Sequence, residues 1–392
     1  MLIAIDAVGI REGGAVAVLA ELLTWLPRVR PDWRWHVFLF ERHLRDFDNP
    51  PVSAKVVLET TGHGHRGLGR IRWVERLLPR RLRETGADLV FSFANLGSSQ
   101  PSVPQVVYCQ QRLVLFHEAH AEYPLLERLR LRVQSFFARR GARASAGVIV
   151  QTEGMRARFV QVEPNLKGKI HVIPCGYRTP PATPVIRSKK KRLIDDCGRP
   201  RLIYVSILRH HKNHLRLIRG FAEVLKACPQ ARLMLTVDEH AAPYPEVASL
   251  LREARALVQE LGLAQFVVWL GQLTADEVTY ALSQSDLMVF PSLAESFGLP
   301  LVEAMAAGCP IAAADLPYAH DVAGSAAAYL DATAAHSLGE GIVALLHEPQ
   351  RLEQLRRDGH ALSKNFSYER IAEEIAKVFD EAVPLCNRRV GS

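Results

Sequence analysis

The chain has no stretch approaching the roughly 18 uninterrupted apolar residues of a membrane span. Its six cysteines, Cys109, Cys175, Cys197, Cys228, Cys309 and Cys386, form no CxxC pair and no Cys/His cluster at zinc spacing. That argues against a disulfide framework or a structural zinc, and for a reducing compartment where cysteine serves as a small apolar residue. The opening MLIAIDAVGI lacks a basic n-region and is too short for a signal peptide, so a cytoplasmic protein is expected. No GxSxG, Walker loop, HExxH or Cys/His nucleophile arrangement occurs, which leaves hydrolase and kinase readings without support. Two literal matches are discounted. Gly62-His-Gly-His-Arg-Gly67 spells GxGxxG in a later βα unit, and its only acid near the offset a dinucleotide site needs, Glu84, lies in an Arg-rich helix. Asp46-Phe-Asp48 spells a DxD inside a polar, Pro-flanked turn.

What is present is a full globular composition. Of 392 residues, 48% are hydrophobic and 23% charged, and the length exceeds that at which single cores stop growing, so two domains are expected. The net charge of +8 is unevenly placed: residues 1–180 hold 26 Lys and Arg against 16 Asp and Glu, net +10. The excess peaks over 65–83, where seven arginines face one glutamate. There Ile71, Val74, Leu77 and Leu78 recur at helical spacing, flanked by Arg70, Arg72, Arg76, Arg80 and Arg81. Such a helix can lie on an anionic membrane surface, or pack on the core by that same stripe with its arginines solvated; both readings stay open. Nucleic acid is not expected, since no nucleic-acid module accompanies the basic patch.

Along the chain, short apolar runs alternate with helical patterns. Strands are expected at 2–5, 35–40, 54–58, 87–91, 104–108, 147–151 and 169–173, with helices at 15–26 and 124–144. Residues 177–199 hold Pro180, Pro181, Pro184, a basic cluster and Gly198, and read as a linker. Alternation then restarts with strands near 202, 232, 266, 287, 310 and 326. The expected division is a domain over 1–176, the linker, a domain over 200–365, and a C-terminal helix and tail over 366–392 that packs back on the first domain. The fold class is α/β, two doubly wound Rossmann-like domains facing across a ligand cleft.

Two stretches can carry chemistry. Residues 286–310, DLMVFPSLAESFGLPLVEAMAAGCP, read as a strand, a loop with Glu295 and Gly298, and a helix carrying Glu303 near its start. Backbone N–H groups at a helix start attract anions, and the two carboxylates can accept from hydroxyls, a combination that suits a nucleotide sugar. A plain core βα unit, with Glu303 as a favourable N-terminal charge, fits the spacing equally well. Residues 205–221, VSILRHHKNHLRLIRGF, place Arg209, His210, His211, Lys212 and His214 between a strand and a helix, where cations suit a diphosphate or form a solvated loop. No carboxylate or cysteine stands at ligand spacing to those histidines, so no metal site is expected.

On these residues, Glu295-SFGLPLV-Glu303 resembles the E-x7-E motif of family 4 of the retaining glycosyltransferases, which have the GT-B fold. VIVQTEGMRARF, KIHVIPCG, YVSILRHHKNHLRLIRGF and 267–317 are similar to further parts of that family. The resemblance implies that Glu303 holds the donor ribose and that Glu295 holds the transferred sugar. The backbone of Ser296, Phe297, Gly298 and Leu299 would contact sugar and diphosphate, and Lys212 the diphosphate. Gly271, Gln272 and Leu273 would contact the base, and Gly13 and Gly14 approach the donor phosphate. Two positions depart from the family: Ser206 and Ile207 replace a Gly-Arg pair, with Arg209 as the substitute cation, and Gln110 stands where many members carry histidine. Gln110 hydrogen-bonds but cannot shuttle a proton.

The resemblance implies sugar transfer from a nucleoside-diphosphate sugar, with retention and without a metal or other cofactor. The acceptor would be a saccharide or lipid-linked saccharide in cell-surface polysaccharide or glycolipid synthesis. Catalytic roles fall to Glu295, Lys212 and Arg209, and acceptor-side roles to Gln110, Arg70, Arg72 and Arg76. The protein would work in the cytoplasm or peripherally at the inner membrane face. A nucleotide-sugar epimerase of the same fold and a non-catalytic sugar-nucleotide or membrane-binding module are the alternatives.

Overall fold

A computed structural model describes residues 1–10, 14–41, 55–62, 67–110, 125–178, 189–238 and 245–383. The chain divides into two compact units, Met1–Gly176 with Tyr368–Ser392, and Tyr177–Ser367. In the first, β1 (Leu2–Asp6), β2 (Arg34–Phe40), β3 (Val56–Thr61), β4 (Leu89–Ser92), β5 (Gln105–Cys109), β6 (Gly147–Val150) and β7 (Ile170–Val172) form a sheet in the order β3-β2-β1-β4-β5-β6-β7. Every pairing is parallel, for example Ile3 opposite both Trp35 and Leu89. Strands β4, β5 and β6 are buried at every position, as expected where helices cover both faces.

Helices of this unit are α1 (Gly14–Val29), α2 (Gly67–Arg72), α3 (Leu78–Thr85), α4 (Leu125–Ala144) and α5 (Glu153–Val162), with a π turn over Trp73–Leu77 joining α2 to α3. The apolar stripe of this segment turns inward: Val74 and Leu78 are buried in the core with Phe38 and Val90. Arg70 goes in with it. It is buried and donates from Nη1 and Nη2 to Asp6 at 2.9 and 2.8 Å, while the Trp73 indole donates to the same carboxylate at 3.0 Å. Arg70 therefore belongs to the core and not to a basic outer face; Arg72 and Arg76 are exposed.

The second unit begins with α6 (Lys189–Asp195), so the stretch read as a linker is partly helical. It is held by Tyr280 Oη donating to Asp195 at 2.5 Å and by the Arg201 guanidinium donating to the Asp195 carbonyl at 2.7 Å. There follow β8 (Arg201–Tyr204), α7 (His214–Ala227), β9 (Arg232–Leu235), α8 (Pro245–Glu260), β10 (Val267–Trp269), α9 (Ala275–Ser283), β11 (Leu287–Phe290), α10 (Leu299–Ala306), β12 (Ile311–Ala314), α11 (Pro317–Ala323), β13 (Ala327–Leu330), α12 (Ala335–Leu346) and α13 (Pro349–Ser363). The sheet order is β10-β9-β8-β11-β12-β13, again all parallel. Helices α7 and α12 meet at Gly220 and Gly339, where an added Cβ would lie 2.7 and 2.5 Å from the opposing backbone oxygen. The final helix, α14 (Tyr368–Ala382), clusters with the first unit. Asp380 pairs with Arg30 at 2.7 Å, and the Phe379 ring meets those of Phe91 and Trp33. No helix among the described residues is long and apolar enough to cross a membrane.

Candidate active site

In the second sheet the strand order reverses at β8, with β9 on one side and β11 on the other. Loops leaving the C-terminal ends of β8 and β11 diverge there, which is where open parallel sheets bind ligands. Both strands are wholly buried and paired in register, Leu287 with Leu202 and Met288 with Ile203, so they hold the two loops side by side.

The β8 loop closes in a 3-10 turn over His210–Lys212, then reverses at Asn213, whose φ of 63° is left-handed. Asparagine tolerates that conformation better than most residues. Its buried amide donates to the carbonyls of Pro291 (3.1 Å) and Ala332 (2.8 Å), joining the loops after β8, β11 and β13. Leu293 N donates to the His211 carbonyl at 2.7 Å, Tyr318 Oη to the Ser292 carbonyl at 2.7 Å, and Tyr204 Oη to the Lys212 carbonyl at 2.8 Å. Burial drives the phenols of Tyr204 and Tyr318 well above their ordinary range, so both remain donors.

That frame brings Lys212 and Glu295 together. Nζ lies 2.5 Å from Oε1 with the side chains 14% and 12% exposed, and 5.9 Å above the Phe290 ring. His211 and His214 remain neutral at physiological pH: desolvation, then the Lys212 charge, pulls them down to about 4 and about 3. No group of three His, Cys, Asp or Glu able to hold a metal ion occurs among the described residues. Arg209 donates to its neighbour's carbonyl, Leu208, at 3.2 Å. Ile207 is 65% exposed.

After β11 the chain passes Ser296 and Phe297 to Gly298, whose φ of 89° admits glycine most readily, and α10 begins there with Pro300 in its first turn. Gly298 offers no side chain to cap this helix start, where Pro300 has no N–H and the Leu301 N–H donates to the Gly298 carbonyl at 2.9 Å, so the start attracts an anion chiefly through its dipole. Phe297 is buried against Phe366, so only its backbone can face a ligand. Glu303 is the fifth residue of α10, beyond the first turn, which removes the reading of a favourable N-terminal charge. It is half-buried, its carboxyl group makes no hydrogen bond to a described residue, and burial pushes that carboxyl up to about 7. Gly271 takes a left-handed φ of 70° after β10, and the Gln272 carbonyl accepts from Lys190; Leu273 follows, half-buried.

In the first unit, Gly14 opens α1, whereas Gly13 lies outside the described residues, as do Asp46 and Asp48. Gln110 follows β5. Its backbone N–H donates to Asn95 Oδ1 at 2.6 Å, and its buried side-chain Nε2 has no partner among the described residues. Sequence reasoning missed Asn213, Tyr204 and Tyr318. Only Asn213 carried a signal, an asparagine at a strand-to-helix turn.

Two Rossmann-like parallel sheets, the second with its charged loops at the reversal of strand order, define the GT-B fold. Within it, residues 186–362 match the family described as Glycosyl transferases group 1. Solved structures similar over nearly the full length include HepE of Anabaena in complex with UDP and glucose (TM-score 0.72, 20% identity, 97% of this chain and 99% of that one). Another is sucrose-phosphate synthase of Thermosynechococcus elongatus (TM-score 0.74, 18% identity, 97% and 98%). In sequence the chain is 28% identical over 169 residues to mannosylfructose-phosphate synthase of Agrobacterium fabrum, covering 42% of this chain and 37% of that enzyme. It is 33% identical over 172 residues to D-inositol 3-phosphate glycosyltransferase of Segniliparus rotundus, covering 43% and 36%. The chain thus spans little more than a third of the length of these curated relatives.

Proposed function

We propose that the protein is a retaining glycosyltransferase of family 4 that moves a sugar from a nucleoside-diphosphate sugar to the hydroxyl of a saccharide or lipid-linked saccharide. The observation that carries this reading is the Lys212–Glu295 pair at the reversal of strand order, beside an uncapped helix start. The ammonium has three donors and spends one on Glu295, so it can turn others to a diphosphate. As the glycosidic bond breaks, charge grows on the leaving diphosphate. Lys212, the positive end of the α10 dipole and Arg209 stabilise it there, supplying charge that a metal would otherwise bring. Glu295 accepts from hydroxyls of the transferred sugar and orients it for front-face attack, and Glu303 accepts from the ribose hydroxyls. Gln110, with its unpartnered amide, donates to a hydroxyl on the acceptor side.

A thermal-shift screen of nucleoside diphosphates and their sugars tests the donor site, since a bound ligand raises apparent stability. HepE was solved with UDP and glucose, so uridine nucleotides come first, then GDP. The expected result is stabilisation by one base's diphosphate, weakened in Glu303→Gln, and sugar transfer to an added acceptor. No stabilisation by any nucleotide overturns the reading. Isomerisation of the donor sugar without acceptor assigns the chain to the epimerases.

A further inference from the structure

The outer face of α4 carries an apolar stripe that is exposed among the described residues. Leu129, Val133 and Phe136 are 61%, 39% and 57% exposed, and their i, i+4, i+7 spacing sets them on one face. Ser135, Ala138 and Ala142 fill the opposite, buried face. Three of the eight large apolar side chains exposed among the described residues lie on this one stripe. Phe136 sharpens the point. Its neighbour Phe137 packs on the core, so core packing does not require a second aromatic pointing outward.

The charge around the stripe selects its partner. Residues 128–143 contain six arginines and no acid. Arg139 and Arg143 are committed to Glu163, at 2.7 Å for Arg143. Arg130, Arg132 and Arg140 are exposed and make no ion pair with a described residue. An apolar stripe rimmed by free guanidinium groups is complementary to a surface with negative headgroups over hydrocarbon. A second copy of the chain would bring the same arginines face to face, which costs energy in a two-fold interface. In a parallel sheet a crossover helix starts at the C-terminal edge of the strands, so the stripe begins in the half of α4 nearest the ligand edge of the first sheet and runs to its middle.

We infer that this face of α4 is a docking surface for an anionic lipid bilayer, with Leu129, Val133 and Phe136 entering the headgroup boundary and Arg130, Arg132 and Arg140 meeting lipid phosphates. The inference replaces the segment 65–83 as the membrane face, because that segment's stripe is packed inward. It does not depend on sugar transfer.

The test is co-sedimentation of the full chain with phosphatidylcholine vesicles, with and without phosphatidylglycerol. Binding is expected only with phosphatidylglycerol and should weaken in high salt. Reversing Arg130 and Arg132 to glutamate should weaken it roughly fivefold per arginine. The double variant Leu129→Ser, Phe136→Ser should reduce it about tenfold or more while unfolding like the parent, because both side chains are already exposed. Val57→Ser, at an exposed apolar residue on β3, serves as a control that leaves binding unchanged. Absence of vesicle binding, or binding untouched by these variants, overturns the inference. A parent chain that self-associates and a double variant that becomes monomeric would assign the face to contact between copies instead.

Discussion

At the C-terminal end of β1, Asp6 is fully buried and receives both ends of the Arg70 guanidinium and the Trp73 indole. In the loops beyond β8 and β11, Lys212 meets Glu295 with both side chains still partly open to solvent. Each unit thus places an ion pair on the C-terminal side of its sheet. The first is sealed, its carboxylate accepting three side-chain donors and its guanidinium lying against Gly9, where even a Cβ would crowd Nε at 2.9 Å. The second keeps donors and acceptors in reserve. A sealed pair is architecture, whereas an open pair can exchange partners with a ligand.

The largest expected effect breaks the sealed pair. Arg70→Met should destabilise the first unit by about 3–5 kcal/mol, because it leaves the Asp6 carboxylate buried and unpaired. Asp6→Asn added to it should recover part of that loss. Chemical denaturation measures both, and a stability unchanged in Arg70→Met would show that water reaches Asp6.

The open pair should respond the other way. Lys212→Met should lower kcat/KM by about 10²–10³, the range for removing one preorganised donor to developing charge. Its effect on stability should be smaller than that of Arg70→Met, because Glu295 keeps some contact with solvent whereas Asp6 keeps none. Turnover assays and denaturation on the same sample check it. A stability loss as large as that of Arg70→Met, with turnover retained, would make both pairs architectural.

The comparison also explains what the sequence could show. Strand and helix alternation is local, so the two-sheet fold was legible throughout, and the βα units around Lys212 and Glu295 stood out because their loops are short and polar. What failed was direction. Among seven arginines over 65–83, periodicity alone cannot say which one points inward, and the π turn over Trp73–Leu77 breaks the 3.6-residue period on which the stripe was read. The exposed stripe of α4 was invisible for the same reason: its apolar residues look like core residues until their surroundings are known. Short helices were lost as well. α5 has a Thr152 cap and α11 a proline in its first turn, but each is too brief to set a period. The bonds of Asn213 to Pro291 and Ala332 span 78 and 119 residues, a separation no local pattern encodes.

The smallest expected effect is the most specific to the site. Burial raises the Glu303 carboxyl to about 7, so the fold disfavours its anion. By linkage, the stability this group contributes is present at low pH and is lost as pH rises from the ordinary carboxylate value through about 7. Binding runs oppositely, because ribose hydroxyls donate to the anion and favour it. Nucleoside-diphosphate affinity should therefore rise about tenfold between about pH 6 and pH 8, tracking the ionised fraction of a group that titrates near neutrality. Glu303→Gln should flatten that rise and bind about tenfold more weakly at the upper end, the loss of one hydrogen bond to a charged acceptor. The ligand's own phosphate titrates in the same window, but it does so equally against both proteins, so the difference between their calorimetric profiles isolates Glu303. Parallel profiles would remove Glu303 from the donor site while leaving Lys212 and Glu295 in place.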